Sequence, residues 1–124
     1  MSEAIFNQRR VLVLEDEPII AMLVEQMLED AGALVDGHAT LASAEAAIDR
    51  LCPDMAILDV NIHNETSYAI AARLAELRIP VIFATGYGIG AHPEAFAQIP
   101  TVSKPYDISE IAAALEQAIS HNTT

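Results

Sequence analysis

The chain has 124 residues, a length that fits one domain with a core of its own. Its composition is 52% hydrophobic and only 5% aromatic, and eighteen acidic residues against six basic ones give a formal charge of −12. This charge argues against nucleic acid and against an anionic membrane as partners, because both would repel the protein. It favours a metal cation or a basic protein face.

Cys52 is the only cysteine, so it cannot form an internal disulfide. The chain contains no signal peptide and no apolar run long enough to span a membrane. We therefore expect a cytoplasmic protein, in which Cys52 is a small buried apolar residue rather than a reactive thiol.

The first half of the chain alternates between strand and helix patterns. Residues 1–8 have no period and are predicted to be a loose leader before a domain over residues 9–121. Apolar runs and helical spacing predict strands over 11–14, 33–39 and 55–59, a helix from Pro18 to the glycine at 32, and another over 43–51. The inward face of the first helix is predicted to carry Ile20, Leu23, Val24 and Met27.

The second half continues the alternation. A polar loop over 61–66 precedes a helix with Ile70, Leu74 and Leu77 on its inward face. The remaining segments are predicted as a strand over 81–84, a flexible glycine-rich loop over 86–90, a short helix over 93–97, an edge strand over 100–103 and a tail over 122–124. Asp107 and Glu110 have the spacing of a capping box, which predicts a last helix from this point.

Five strands that alternate with helices predict an α/β fold, with one parallel sheet covered on both faces. The two least apolar strands belong at the edges, which favours the strand order 2-1-3-4-5 of a flavodoxin-like three-layer sandwich with five βα units. The order of such a sheet reverses between strands one and three. Ligands bind outside the carboxyl ends of the strands at that point.

Reactive side chains follow the carboxyl ends of these strands. Glu15 and Asp16 follow the first strand, Asp59 ends the third, and Thr85 and Lys104 follow the fourth and fifth. Asp59 alone is ambiguous, because aspartate also ends strands as a turn former. Three carboxylates at one edge repel one another and favour a hard divalent cation such as Mg²⁺. An ammonium and a hydroxyl can bind phosphoryl oxygens, so the set predicts a phosphoryl-transfer site.

These residues at these spacings resemble the receiver domains of two-component response regulators, and the likeness extends from Val11 to Ile119. The resemblance implies that Asp59 is the phosphoacceptor. It also implies that Glu15, Asp16, Asp59 and the backbone carbonyl of Asn61 hold Mg²⁺, for which Mn²⁺ can substitute.

The same resemblance assigns Thr85 and Lys104 to the phosphoryl group. In the family the bond between the lysine and the following proline is often cis, so a cis peptide before Pro105 is expected to turn Lys104 into the site.

The chain departs from the family pattern in two places. Residues 62–67 lack the usual Met-Pro pair, and Thr101 stands where the family usually has an aromatic switch residue. Residues 83–87, Phe-Ala-Thr-Gly-Tyr, resemble instead the FAT GUY subgroup of stand-alone receivers. Tyr87 then becomes the candidate moving aromatic, and Tyr106 is a candidate output residue.

The resemblance implies a single-domain response regulator without an output domain, which is a phosphoacceptor rather than an enzyme. Its expected phosphodonor is a histidine kinase or a histidine phosphotransferase. Its expected output is contact with a downstream protein target, or return of the phosphoryl group in a phosphorelay.

Three other interpretations stay open. A phosphohydrolase with an aspartate nucleophile would share Asp59 and Mg²⁺, but such enzymes typically carry a second acid where this chain has Asn61. A flavodoxin-like cofactor carrier would need phosphate-binding donors after the first strand, where this chain has Glu15, Asp16 and Glu17. A receiver-like module that binds its partner without phosphorylation is the third.

Overall fold

The structure, a computed structural model, describes residues 2–85, 93, 96–104 and 107–122. Its strands are β1 (Arg10–Leu14), β2 (Leu34–His38), β3 (Met55–Asp59), β4 (Asn61–Ile62), β5 (Glu65–Thr66), β6 (Val81–Thr85) and β7 (Thr101–Ser103). Its α-helices are α1 (Pro18–Asp30), α2 (Leu41–Leu51), α3 (Tyr68–Glu76) and α4 (Ile108–Asn122), and a 3-10 helix covers Ser2–Phe6. The predicted loop over 86–90 and positions 94 and 95 of the predicted helix over 93–97 lie outside the described residues.

The main sheet confirms the predicted topology. Its five strands are parallel in the order β2-β1-β3-β6-β7. Alternate residues of β1 enter opposite cores: Val11 and Val13 pack with α1 and α4 on one face, and Leu12 and Leu14 pack with α2 and α3 on the other. Burial on both faces explains why the central strands are apolar runs without alternation.

Proline, glycine and capping side chains determine where the helices begin and end. Pro18 occupies the first turn of α1, and Gly32 follows that helix at a φ of +96°. Asp107 and Glu110 form the predicted capping box, with each side chain accepting the other residue's backbone N–H at 2.9 and 3.2 Å. Helix α2 begins before the predicted residue 43, because the Thr40 hydroxyl accepts the Ser43 N–H and caps the helix.

Three predictions of burial are wrong. Leu23 of α1 is 56% exposed and Leu28 takes its place in the core, since the helix turns its inward face toward Val24 and Leu28. Leu77 is 49% exposed because α3 ends before it. Cys52 is exposed, since it caps α2 in the left-handed conformation with a φ of 47°.

The predicted polar loop over 61–66 is a β-hairpin. Strands β4 and β5 pair antiparallel around the two-residue turn His63-Asn64. Both turn residues have positive φ, at 49° and 68°, which is the pattern of a type I′ turn. Ile62 is buried under the hairpin, so the segment is attached to the core.

The predicted loose leader is also wrong for the 3-10 helix Ser2–Phe6. Phe6 is fully buried in the core with α4, and the Arg9 N–H donates to the Phe6 carbonyl at 3.0 Å. A single aromatic residue has no period of its own, so the sequence pattern could not show that it packs against the sheet.

No helix in the described part of the chain has the length and apolarity needed to cross a bilayer.

Replacing Phe6 by alanine is expected to lower the free energy of unfolding by about 3–5 kcal/mol, because the substitution removes a fully buried ring and leaves a cavity. Urea unfolding measures the change. Ile19→Ala is the matched control, since Ile19 is 70% exposed, and we expect it to cost well under about 1 kcal/mol. Equal losses in the two variants would contradict burial of Phe6.

Candidate functional site

The carboxyl ends of the neighbouring strands β1 and β3 bring the predicted acidic residues together. Asp59 is the last residue of β3 and lies opposite Ala84 of β6. Glu15 follows β1 directly, and its N–H donates to the carbonyl of His38 at the end of β2 at 3.0 Å. Both carboxylates are buried, at 7% exposure for Asp59 and 3% for Glu15. Their backbones are therefore fixed by the sheet.

Two contacts from the segment after β3 hold Asp59. The Asn61 N–H donates to Oδ1 of Asp59 at 3.3 Å, and the Ser67 hydroxyl donates to the Asp59 carbonyl oxygen at 2.7 Å. Ser67 is fully buried and immediately precedes α3. Sequence reasoning missed this role of Ser67, because a serine before a helix reads as an ordinary N-cap.

Lys104 joins the carboxylates. Its Nζ lies 2.9 Å from Oδ2 of Asp59, 2.5 Å from Oε1 of Glu15 and 3.9 Å from Oε1 of Glu17. Its backbone N–H donates to the Thr85 carbonyl at 2.9 Å, which places Lys104 just beyond the end of β7. Lys104 is the only lysine of the chain, and its side chain is 9% exposed.

Burial and neighbouring opposite charge have opposite effects on the pKa values of Glu15 and Lys104. Burial raises the pKa of Glu15 to about 7, although Lys104 and the backbone of Glu17 favour its charged form. Burial alone would lower the pKa of Lys104, but hydrogen bonds and charge from Glu15 and Asp59 outweigh it and raise that pKa. Lys104 therefore stays charged, whereas Glu15 gains or loses its proton near neutral pH.

The donor set fits a hard divalent cation. Glu15, Asp16 and Asp59 each offer a carboxylate oxygen, and these atoms lie within 4.8 Å of one another. Within the described residues, Oε1 of Glu15 is buried without a hydrogen-bond partner beyond its ion pair with Lys104. Carboxylate oxygens and a shared anionic ligand suit Mg²⁺. These three residues, with the carbonyl of Asn61, are the groups that would hold it.

An open cavity of about 480 Å³ lies above the carboxylates. The residues that line it are Asp16, Glu17, Asp59, Asn61, His63, Asn64 and Lys104. The predicted Thr85 ends β6 and is buried at 6% exposure, one residue beyond Ala84, which pairs with Asp59. The structure therefore brings Glu15, Asp16, Asp59, Asn61, Thr85 and Lys104 to one edge of the sheet.

Thr101 lies away from this cavity. It starts β7 opposite Phe83, two residues before Ser103, which pairs with Thr85. Phe83, which pairs with Thr101, belongs to a group of aromatic rings: Tyr68 stacks on Phe96 with centroids 5.0 Å apart, and Phe83 meets Tyr68 edge to face at 5.5 Å.

The predicted roles of Tyr87, Tyr106 and Pro105 fall on residues outside those described.

The chain is similar to response regulator receiver domains in both sequence and structure. The family model of the response regulator receiver domain matches residues 11–116. The solution structure of SdrG from Sphingomonas melonis Fr1 is 36% identical, with a TM-score of 0.77, over 90% of this chain and 97% of that one. The receiver domain of PhyR from Erythrobacter litoralis is 26% identical, with a TM-score of 0.73, over 95% of both chains.

Curated relatives are similar over only part of their length. The transcriptional regulatory protein PdtaR of Mycobacterium tuberculosis is 31% identical over 90% of this chain and 57% of its own. The phyllosphere-induced regulator PhyR of Methylorubrum extorquens is 30% identical over 88% of this chain and 43% of its own. The chain thus spans about half the length of the curated relatives it matches.

Added Mg²⁺ is expected to raise the melting temperature more at about pH 8 than at about pH 6. The folded-state pKa of Glu15, about 7, lies above its ordinary value of 4.5, so between these values the folded state binds more protons than the unfolded state. The contribution of Glu15 to stability therefore falls as pH rises through this window. A cation that binds the carboxylate offsets this loss.

Thermal unfolding with and without MgCl₂ at the two pH values measures the difference. Glu15→Gln is the matched control, and its gain from Mg²⁺ should be smaller and nearly independent of pH. Equal gains at both pH values in the unmodified protein would contradict a role for Glu15 in cation binding.

Proposed function

The chain belongs to the response regulator receiver domain family, and on this premise we propose that Asp59 accepts a phosphoryl group from a histidine kinase or a histidine phosphotransferase in a Mg²⁺-dependent reaction. The protein then acts as a signalling phosphoacceptor rather than as an enzyme with a separate substrate. A single observation carries the proposal: Lys104 contacts Asp59 at 2.9 Å, beside two further carboxylates and beneath an open cavity.

The arrangement supports in-line phosphoryl transfer. A carboxylate oxygen of Asp59 attacks the phosphorus, the bond from phosphorus to the donor imidazole nitrogen breaks, and the imidazole leaves with the bonding electron pair. The product is an acyl phosphate on Asp59. The Asn61 N–H holds Oδ1 of the carboxylate, and the Ser67 hydroxyl holds the backbone carbonyl of Asp59, so the nucleophile needs little reorganisation before the attack.

Positive charge beside the phosphoryl oxygens is needed to stabilise the negative charge of the transition state. Lys104 supplies a buried ammonium that stays charged over the physiological pH range, because its pKa is raised. Mg²⁺, when it is bound by the three carboxylates, would supply further charge to the same oxygens. The hydroxyl of Thr85, at the end of β6, is the proposed third contact of the phosphoryl group.

The output is proposed to be contact with a downstream protein or return of the phosphoryl group in a relay. SdrG has been solved in a conformation described as BeF₃-activated, and BeF₃ is a phosphoryl mimic, which supports a phosphorylation-dependent surface here as well. PhyR of Bartonella quintana is described as an anti-anti-sigma factor, which supports a protein target. The formal charge of −12 disfavours direct binding to nucleic acid.

The lifetime of the acyl phosphate separates the two outputs. A binding output needs a phosphorylated form that persists while the partner is engaged, whereas a relay needs rapid transfer back to a histidine protein. Measuring the half-life of the Asp59 phosphate alone and with candidate histidine phosphotransferases distinguishes them. The phosphohydrolase alternative is disfavoured by Asn61, which offers no second acid.

Replacing Asp59 by asparagine is expected to abolish phosphoryl incorporation from a small-molecule donor such as acetyl phosphate, because the amide is not a competent nucleophile. Phosphate-affinity electrophoresis or intact-protein mass spectrometry measures the label. Asp30→Asn is the matched control, since Asp30 is an exposed aspartate at the end of α1, and it should be labelled like the unmodified protein. Persistent labelling of the Asp59 variant would refute the assignment.

Replacing Lys104 by methionine is expected to slow phosphorylation of Asp59 by roughly a hundredfold, because the variant lacks the ammonium that neutralises charge in the transition state. The rate of label incorporation at saturating Mg²⁺ measures the effect. Arg50→Met removes an exposed positive charge at the end of α2 and should leave the rate unchanged. The proposed role of Lys104 is incorrect if both variants react at the rate of the unmodified protein.

A further inference from the structure

The turn of the β4–β5 hairpin is held in an unusual backbone conformation. His63 and Asn64 both have φ in the left-handed region, at 49° and 68°, although neither is glycine. Residues other than glycine seldom adopt such conformations, and these conformations persist where the surroundings enforce them. They also cluster at functional sites.

The hairpin is anchored at its base. Ile62 of β4 is 1% exposed in the core, and the Ser67 N–H donates to the Val60 carbonyl at 2.9 Å, closing the segment just outside the paired strands. The position of the turn relative to Asp59 is therefore set by the core, through the same Ser67 that contacts the Asp59 carbonyl.

The turn carries a donor that reaches the other side of the site. The backbone N–H of His63 donates to Oδ2 of Asp16 at 3.1 Å, across 47 positions of sequence. Asp16 lies in the connection between β1 and α1, so strand pairing does not fix its side chain. One hydrogen bond orients the carboxylate and leaves it free acceptor capacity for a cation.

The imidazole ring of His63 does not make this contact. Its Nδ1 lies 3.8 Å from Oδ2 of Asp16, beyond hydrogen-bonding distance, and the side chain is 61% exposed. The contribution of the turn is thus its backbone geometry, which any pair of residues that adopts a type I′ turn could reproduce.

We propose that the His63-Asn64 turn is a positioning element for the divalent cation, which holds Asp16 in its cation-binding orientation through the His63 backbone N–H. This inference deepens the proposed function, on which it rests for the role of the cation. Groups that orient a metal ligand commonly contribute about 10- to 100-fold to metal affinity. His63 and Asn64 line the same open cavity as Asp16 and Asp59, so the turn borders the place where the cation would bind.

The test compares Mg²⁺ affinity in variants of the turn, measured by isothermal titration calorimetry or by amide chemical shifts on the full chain. Asn64→Val places a β-branched residue at positive φ and should weaken Mg²⁺ binding about tenfold. Asn64→Ala is the milder variant if the valine impairs folding, and it should shift the affinity in the same direction. The double variant His63→Asn with Asn64→Gly has the most favoured type I′ sequence, and should bind Mg²⁺ like the unmodified protein.

Two further measurements test whether the turn affects Mg²⁺ affinity through Asp16. In an Asp16→Asn background, Asn64→Val should cause no additional loss of affinity. Without metal, Asp16→Ala should speed hydrogen exchange at the His63 amide. An unchanged Mg²⁺ affinity in folded Asn64→Val and Asn64→Ala, or an equal loss with and without Asp16, would overturn the proposal. These affinities need no phosphodonor, so they remain informative if Asp59 proves not to be phosphorylated.

Discussion

The contact of Lys104 with Asp59 and Glu15 is the interaction on which the site depends. Three carboxylates at the end of a buried sheet repel one another, and burial makes each charge more costly. A single buried ammonium, 2.9 Å from Asp59 and 2.5 Å from Glu15, offsets part of this repulsion. The remaining negative charge favours a divalent cation, and that cation together with the ammonium of Lys104 would attract the anionic oxygens of a phosphoryl group.

The fold makes this charge cluster possible by fixing backbones from behind. The central strands are buried on both faces, so Glu15 and Asp59 cannot move away from each other without disturbing the core. Ser67 connects the end of β3 to α3, and the hairpin between them connects the same region to Asp16. The loop that departs most from the receiver pattern is thus a structured part of the candidate site.

The sequence predicted the sheet order and the gathering of acidic residues, because apolar runs and the ends of parallel strands follow general rules. It failed where tertiary contacts decide the outcome. Phe6 has no periodic neighbours, so its burial could not be read from pattern. The His63-Asn64 turn lacks the glycine that usually marks a type I′ hairpin, and the Ser67 hydroxyl reaches a backbone carbonyl that no spacing indicates.

Locating the phosphoryl group on the unmodified protein decides whether Asp59 is the phosphoacceptor. After reaction with a phosphodonor and Mg²⁺, reduction with borohydride converts an aspartyl phosphate into homoserine, which peptide mass spectrometry identifies by position. If Asp59 is the Mg²⁺-dependent phosphoacceptor, homoserine is found at position 59 and is lost when Mg²⁺ is chelated before the reaction. Modification of another residue, or labelling that is indifferent to Mg²⁺, would contradict this assignment.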